Sequence, residues 1–250
     1  MNSSYHRRVA VLAELGGSTS SQLSSVSSAV LIPVGSTEQH GPHLPLDTDT
    51  QIATAVAGAV AARLGAVSSP SGERWLVAPA IAYGDSGEHQ SFAGTISIGT
   101  EALTLLLVQY GRSASSWALR LAFVNGHGGN VVALHRAVRQ LRAEGRDVGW
   151  CACAAAGADA HAGHTETSVL LHISPADVLT DRCCAGNRAP LAKLLPLMQR
   201  GGVAAVSEVG VLGDATTATA ADGSRIFAEM VDGCVRRISN WAPGPDGVLV

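Results

Sequence analysis

The stretch LRLAFVNGHGGNVVALHRAVRQLRA, residues 119–143, reads as a strand, a glycine-rich turn and a helix in immediate succession. Leu119–Val124 is a short apolar run of the kind found in a strand covered on both faces, and Val131–Ala143 reads as a helix. Working outward, the alternation repeats. Ala29–Val34 is an apolar run closed by Gly35, and Thr50 to Leu64 has helical composition with Asp47 and Asp49 near its start. Trp75–Pro79 is a second strand candidate and Thr100–Ser113 a helix. Beyond the central stretch, Val148–Ala152 reads as a strand and Thr165–His172 as a short helix. Helices follow near 189–199 and 217–241, with a glycine-rich segment between them. Residues 16–28 read as a loop or short capped turn, and 83–95 as a loop. Strands alternating with helices imply an α/β fold with a mostly parallel sheet. There is no internal repeat and no convincing linker. One domain over residues 1–250 is expected, with its motifs between about 29 and 241 and short tails at either end.

Composition narrows the function classes. Hydrophobic residues make up 46 % of the 250 and charged residues 15 %, which disfavours disorder. Seventeen basic against twenty acidic residues give a net charge of −3, so no basic face is expected for a phosphate backbone. Aromatics, at 4 %, are too few for base-stacking platforms. No uncharged apolar run approaches the roughly 18 residues of a membrane span. Glu14 interrupts the first apolar stretch, so no signal peptide is read and a cytoplasmic protein is expected. The five cysteines, Cys151, Cys153, Cys183, Cys184 and Cys234, form no CxxC pair, which leaves no case for a structural zinc knuckle. Cys151 and Cys153 are expected as buried free thiols. Ala242–Val250, with Pro243 and Pro245, reads as a loose tail or a subunit contact.

Six of the nine histidines fall in four short segments, mostly where strand candidates end. Open parallel sheets place their sites at those ends. The first segment, GSTEQHGPHLPLDTD at 35–49, packs Glu38, His40, His43, Asp47 and Asp49 into one loop. Glu38 and His40 are two apart, so in extended chain both side chains leave the same face. Asp49 alone could be a helix N-cap, but beside Glu38 and His40 it points to a carboxylate–imidazole metal site. The second segment, NGHGGN at 125–130, surrounds His127 with glycines that permit sharp turns and close ligand approach. It matches neither phosphate-binding glycine motif. The third, DAHAGHTETS at 159–168, sets His161 and His164 before Glu166 at a helix start. A capping box accounts for its end but not for two histidines. The fourth, GDSGEHQSFAGT at 84–95, carries Ser86, Glu88 and His89 and reads as a surface loop or a substrate-contacting one. Three carboxylates and two imidazoles without a thiolate suit Zn, Fe or Mn. Five ligands exceed the three protein ligands of one catalytic zinc, and a shared carboxylate would serve paired ions.

These segments, in this order and spacing, resemble the creatininase family of metal-dependent amidohydrolases, as does GVLGD at 210–214 followed by Ala218-Thr-Ala220. The match runs from about residue 30 to 235. Within that family the chain resembles the mycofactocin-system branch most closely, through its opening MNSSYHRR, EHQSFAGT at 88–95 and HAGHTETS at 161–168. The resemblance implies a three-layer α/β/α sandwich, assembled as a ring-like homo-oligomer of six or more chains. It implies two divalent ions per chain, Fe, Zn or Mn. Glu38 and His127 would hold one ion, His40 the other, and Asp49 would bridge them. Gly129 stands where creatininase itself has a glutamate ligand, and Glu166 is the candidate to replace it. His161 matches the family's catalytic histidine. His164 stands where many members carry glutamate. Ser86, Glu88, His89 and His164 are candidates for substrate contact.

The implied activity is that of a peptidase. Its partner would be a small ribosomal precursor peptide whose C-terminal Val-Tyr a radical enzyme has modified, and the released piece would be the dipeptide-derived core of mycofactocin. A hydroxide bridging the ions would attack the carbonyl while His161 protonates the leaving amine. A hydrolase of a small cyclic amide or formamide would use the same metals. A non-catalytic metal-binding protein is the remaining alternative.

Overall fold

In a computed structural model the chain is described at residues 14–24, 26–66 and 73–250; the opening MNSSYHRR lies outside them. The elements run α1 (Ser20–Leu23), β1 (Ser28–Val34), α2 (Thr48–Ala66), β2 (Arg74–Val77), α3 (Gly99–Ala114) and β3 (Arg120–Asn125). They continue with α4 (Val131–Ala143), β4 (Val148–Ala152), α5 (His164–Ile173), α6 (Leu191–Gly201) and α7 (Ala220–Asn240). The strand and helix candidates of the sequence all appear, with shifts of a few residues at their ends.

The four strands form one parallel sheet in the order β2-β1-β3-β4. Every residue of β1 is buried, as expected for a strand covered on both faces. Side chains leave alternate faces of the pleat. Leu31, Ala122, Val124 and Cys151 face a layer made by α2, α5 and α7. Val30, Ile32, Val34, Leu121 and Phe123 face α3 and α4. On α4 the buried positions Leu134, Ala137, Val138 and Leu141 follow the helical spacing that makes one apolar stripe. The result is a three-layer α/β/α sandwich. Cys151 is buried within it and Cys153 half-buried, both as free thiols.

The strand order creates the opening for a site. From β1 the chain moves outward to β2, then returns across β1 to β3, so β1 and β3 are neighbours whose connections leave in opposite directions. Their ends are level, Val34 opposite Asn125. Gly35 and Gly126 follow those ends, and α2 begins against both of them. A Cβ on Gly35 would lie 2.5 Å from the Thr50 nitrogen, and one on Gly126 would lie 2.5 Å from the Asp49 carbonyl oxygen. Two missing side chains thus allow the first turn of α2 to sit in the notch between the strands.

The C-terminal segment is not a loose tail. Leu249 is fully buried, its amide donates to the Trp150 carbonyl, and the Trp150 amide donates to Gly247. Residues 247–249 thereby extend the edge of β4, because Leu249 supplies an apolar anchor that Gly149 leaves room for. No helix among the described residues is long and apolar enough to cross a membrane.

Two helix glycines give opposite expectations. Gly223 of α7 meets the Ser168 carbonyl of α5, where a Cβ would be 1.8 Å away, whereas Gly58 of α2 is exposed with nothing within 4 Å. Gly223→Ala should cost about 1–3 kcal/mol by forcing the helices apart. Gly58→Ala should stabilise by about 0.5–1 kcal/mol through helix propensity. Paired thermal unfolding scans check both signs.

Candidate metal centre

Asp49, the second residue of α2, is delivered by that helix start into the notch between β1 and β3. Its carboxylate is 2 % exposed and is approached from both sides. His40 Nε2 is 3.2 Å from Oδ1, and His127 Nδ1 is 3.1 Å from Oδ2. The Ser36 hydroxyl donates to Oδ2 at 2.8 Å. Asp49 therefore does not cap its own helix.

The loop after β1 brings Glu38 and His40 to the same point, as their spacing implied, and one oxygen or nitrogen from each of Glu38, His40 and Asp49 lies within 4.8 Å of the others. Glu38 is fully buried; His127 Nε2 lies 3.2 Å from its Oε2, and His89 Nε2 3.4 Å from its Oε1. Neither Glu38 oxygen accepts a hydrogen bond among the described residues. His127 comes from the turn after β3, which Asn125 braces by donating its side-chain amide to the His127 carbonyl at 2.7 Å. His127 Nε2 also sits 2.8 Å from the Asp85 carbonyl. A Cβ at Gly129 would fall 2.1 Å from that carbonyl and 3.1 Å from a Glu88 oxygen, so this turn admits no side chain there.

Glu166, in the first turn of α5, places Oε2 at 3.8 Å from His40 Nε2 and accepts the Ala162 amide at 2.6 Å. Ala162 has φ of +52°, in the left-handed region that non-glycine residues seldom occupy. That turn lets His161 and Glu166 face the same point. His161 Nε2–H donates to the Gln39 carbonyl at 2.8 Å, and Nδ1 faces Glu38 Oε1 at 3.7 Å.

The structure thus brings together Glu38, His40, Asp49, His127, Glu166 and His161. Glu88 and His89 also join the wall, His89 within the donor cluster itself. Two other candidates fall elsewhere. Ser86 is fully buried beside Glu38 and does not line the cavity, because the helical turn Gly87–His89 turns it inward. His164 bonds the Thr217 hydroxyl at 2.9 Å and faces a neighbouring hollow, its position on α5 being rotated away from Glu166. From the first segment, His43 is buried against the Thr167 hydroxyl and Asp47 bonds Gln51, both away from the centre.

Gln39 escaped the sequence reading. Its side-chain nitrogen lies 2.8 Å from His89 Nδ1 and 3.1 Å from His161 Nε2, and donates to the Gly210 carbonyl. Its place between Glu38 and His40 was the one available signal. A cavity of about 300 Å³ opens over the cluster, lined by His127, His161 and Glu166 together with Leu191, Leu195, Met198 and Leu212.

The electrostatics are those of a cation site. Burial pulls both imidazoles down, yet Asp49, Glu166 and Glu38 push His40 up to about 10, and Glu38, Asp49 and Glu88 do the same for His127. Burial raises Glu38 and Glu166, each to about 7, with Asp49 adding to it and His40 opposing. Asp49 is held well below the carboxylate range, since His40 and His127 outweigh its burial. Burial and the neighbouring His40 push His161 well down. Three carboxylates and four imidazoles buried together are costly unless a cation organises them. Oxygen and imidazole donors without sulfur, and a buried Glu38 lacking hydrogen bonds, fit divalent ions of the Zn, Mn or Fe type. Ligating nitrogens must shed their protons, so loading should release about two protons per chain, and affinity should fall between about pH 9 and pH 6. Calorimetry in buffers of differing ionisation enthalpy measures this. Binding without proton release would show that His40 and His127 are already neutral in the metal-free protein, against their raised values.

The creatininase family model, described as creatinine amidohydrolase, matches residues 17–238. A protein of Mycobacterium tuberculosis named mycofactocin precursor peptide peptidase is 74 % identical over 250 residues, covering all of both chains. One of the same name from Mycolicibacterium smegmatis is 66 % identical over 249 residues, again across both whole chains. A crystal structure of creatinine amidohydrolase superposes with a TM-score of 0.75 at 26 % identity, covering 93 % of this chain and 98 % of that one. The chain belongs to the creatininase family.

Proposed function

We propose that the chain is a metal-dependent peptidase of mycofactocin biosynthesis. It cuts a radical-modified ribosomal precursor peptide near its C-terminus and releases the Val-Tyr-derived dipeptide core. The observation that carries this reading is full-length identity of 74 % to a relative bearing that peptidase name, supported by His40 and His127 on the Asp49 oxygens, Glu38 grouped with them and Glu166 beside His40. In this reading Glu38 and His127 hold one ion and His40 and Glu166 the other, with Asp49 shared. Bound divalent ions supply Lewis acidity to the scissile carbonyl and lower the pKa of water toward neutrality.

The remaining work falls to this chain's side chains. With Nε2–H committed to the Gln39 carbonyl, His161 presents Nδ1 as a bare acceptor toward the cluster. It takes the proton of the attacking water there and returns it to the departing amine. Neutral imidazole is the form this order of events needs, and burial beside His40 supplies it. Gln39 fixes the ring plane, and the Ala162 turn fixes its direction. Leu191, Leu195 and Met198 give the cavity an apolar surface for substrate side chains. The same reading makes the protein a cytoplasmic homo-oligomer loaded with Fe, Zn or Mn. Solved creatininases similar to it include a Zn-Zn form and a Mn form.

The test offers the anaerobically loaded protein the modified precursor peptide and its unmodified twin, with products followed by mass spectrometry. The dipeptide-derived fragment should come from the modified peptide alone. Cleavage of neither, with turnover of a cyclic amide or formamide, would overturn the reading. His161→Ala should retain its metal and lose about 10²-fold or more in turnover. Glu38→Ala and Asp49→Ala should lose metal, so a fully metallated, active variant at either position would contradict the assigned roles.

A further inference from the structure

The cavity over the metal centre does not end at its own rim. A second hollow, of about 570 Å³, adjoins it, and Ala160, Leu191 and Leu212 line both. Both are lined largely by apolar side chains, and they carry different polar groups. Away from the donor cluster, the first is walled by the α6 side chains Leu191, Leu195 and Met198. The second is lined by Asn187, Arg188, His164, Asp159 and Asp214.

Within that second hollow, the three titratable groups that line it with Arg188 are already committed. Asp159 accepts the His164 and Thr165 amides at the start of α5. His164 bonds Thr217. Asp214 is anchored by the Thr216 amide and hydroxyl, and it holds the Arg188 guanidinium by one nitrogen. Arg188 remains 65 % exposed. A guanidinium has five N–H donors, and a fixed carboxylate partner sets its direction while leaving most of them open. This is a pre-positioned donor group at the end of a trough that begins at the reaction centre.

An endopeptidase must seat chain on both sides of the bond it cuts. We propose that the hollow at Arg188 is the binding subsite for the precursor chain on the N-terminal side of the cleaved bond, with Arg188 donating to its backbone carbonyls, while the apolar α6 wall receives the released Val-Tyr-derived end. The inference rests on the peptidase reading above. Distance from the reaction centre sets the direction: the released piece is only a dipeptide and fits beside the α6 leucines of the first hollow, whereas Arg188 lies beyond the shared Leu191 and Leu212, where only the longer side of the substrate reaches.

Steady-state kinetics on two substrates test it: the full modified precursor peptide, and a truncated modified fragment keeping only two residues before the cleaved bond. The wild-type holoenzyme should show a lower KM for the full peptide. Arg188→Ala should raise KM for the full peptide about tenfold more than for the fragment, the loss of a charge-assisted hydrogen bond. Equal effects on both substrates would overturn the subsite. Hydrogen exchange on metal-loaded His161→Ala supplies a readout independent of the Arg188 variant's folding. The full peptide should protect amides of 186–191 and 212–214, and the fragment should not. Protection confined to the metal cavity would overturn the subsite while leaving the peptidase intact, whereas failure of the wild type to cut either substrate would remove the reading beneath it.

Discussion

Asp49 sits at the start of a helix with an imidazole on each carboxylate oxygen, His40 at 3.2 Å and His127 at 3.1 Å. Much of the molecule is arranged to make that contact. Asp49 enters the notch between β1 and β3 only because Gly35 and Gly126 leave the first turn of α2 room at the strand ends. His40 belongs to the loop leaving β1, and His127 to the turn leaving β3. The parallel sheet supplies the two neighbouring carboxyl ends, and the reversal of strand order keeps their connections from covering the notch. One carboxylate thus reads out whether the sheet, both turns and α2 are in register.

The cost of this arrangement is electrostatic. Glu38 is fully buried with neither oxygen hydrogen-bonded, and it shares its surroundings with Asp49 and Glu166. Without cations, the charge balance rests on protons held by His40 and His127, both pushed up to about 10. Protons are monovalent and directional. Divalent ions satisfy several lone pairs at once and so offset burial more fully. The same field explains why His161 differs from its neighbours. Burial together with the neighbouring His40 and His89 outweighs Asp49, so the ring stays neutral. Similar side chains a few ångströms apart are thereby divided into ion-holding and proton-moving groups.

Much of this was legible in the residues. The strands read from apolar runs because a parallel sheet covered on both faces demands them, and β4 and α4 matched to the residue. The donor segments were legible because polar, glycine-rich loops directly follow those runs. What remained hidden depended on contacts between segments distant in sequence. Gln39 donates its side-chain amide to His89 and accepts His161 Nε2–H at its backbone carbonyl, across separations that no spacing reveals. His89 turned out to face Glu38, since the short helical turn at Gly87–His89 inverts its loop. Ser86 is turned inward by that same helical turn, and His164 opens on the neighbouring hollow because its position on α5 is rotated from that of Glu166. The C-terminal segment looked unanchored because Leu249 finds its pocket against a glycine one hundred residues upstream. The apolar wall of α6 carried no motif at all.

The central claim is that Asp49 is shared between two divalent ions. Anomalous diffraction from crystals of the metal-loaded protein, recorded on either side of the absorption edge, tests it directly. The account predicts two peaks per chain flanking the Asp49 carboxylate, one beside Glu38 and His127 and the other beside His40 and Glu166. A single peak that leaves either histidine without a metal, or metal bound away from Asp49, would contradict it.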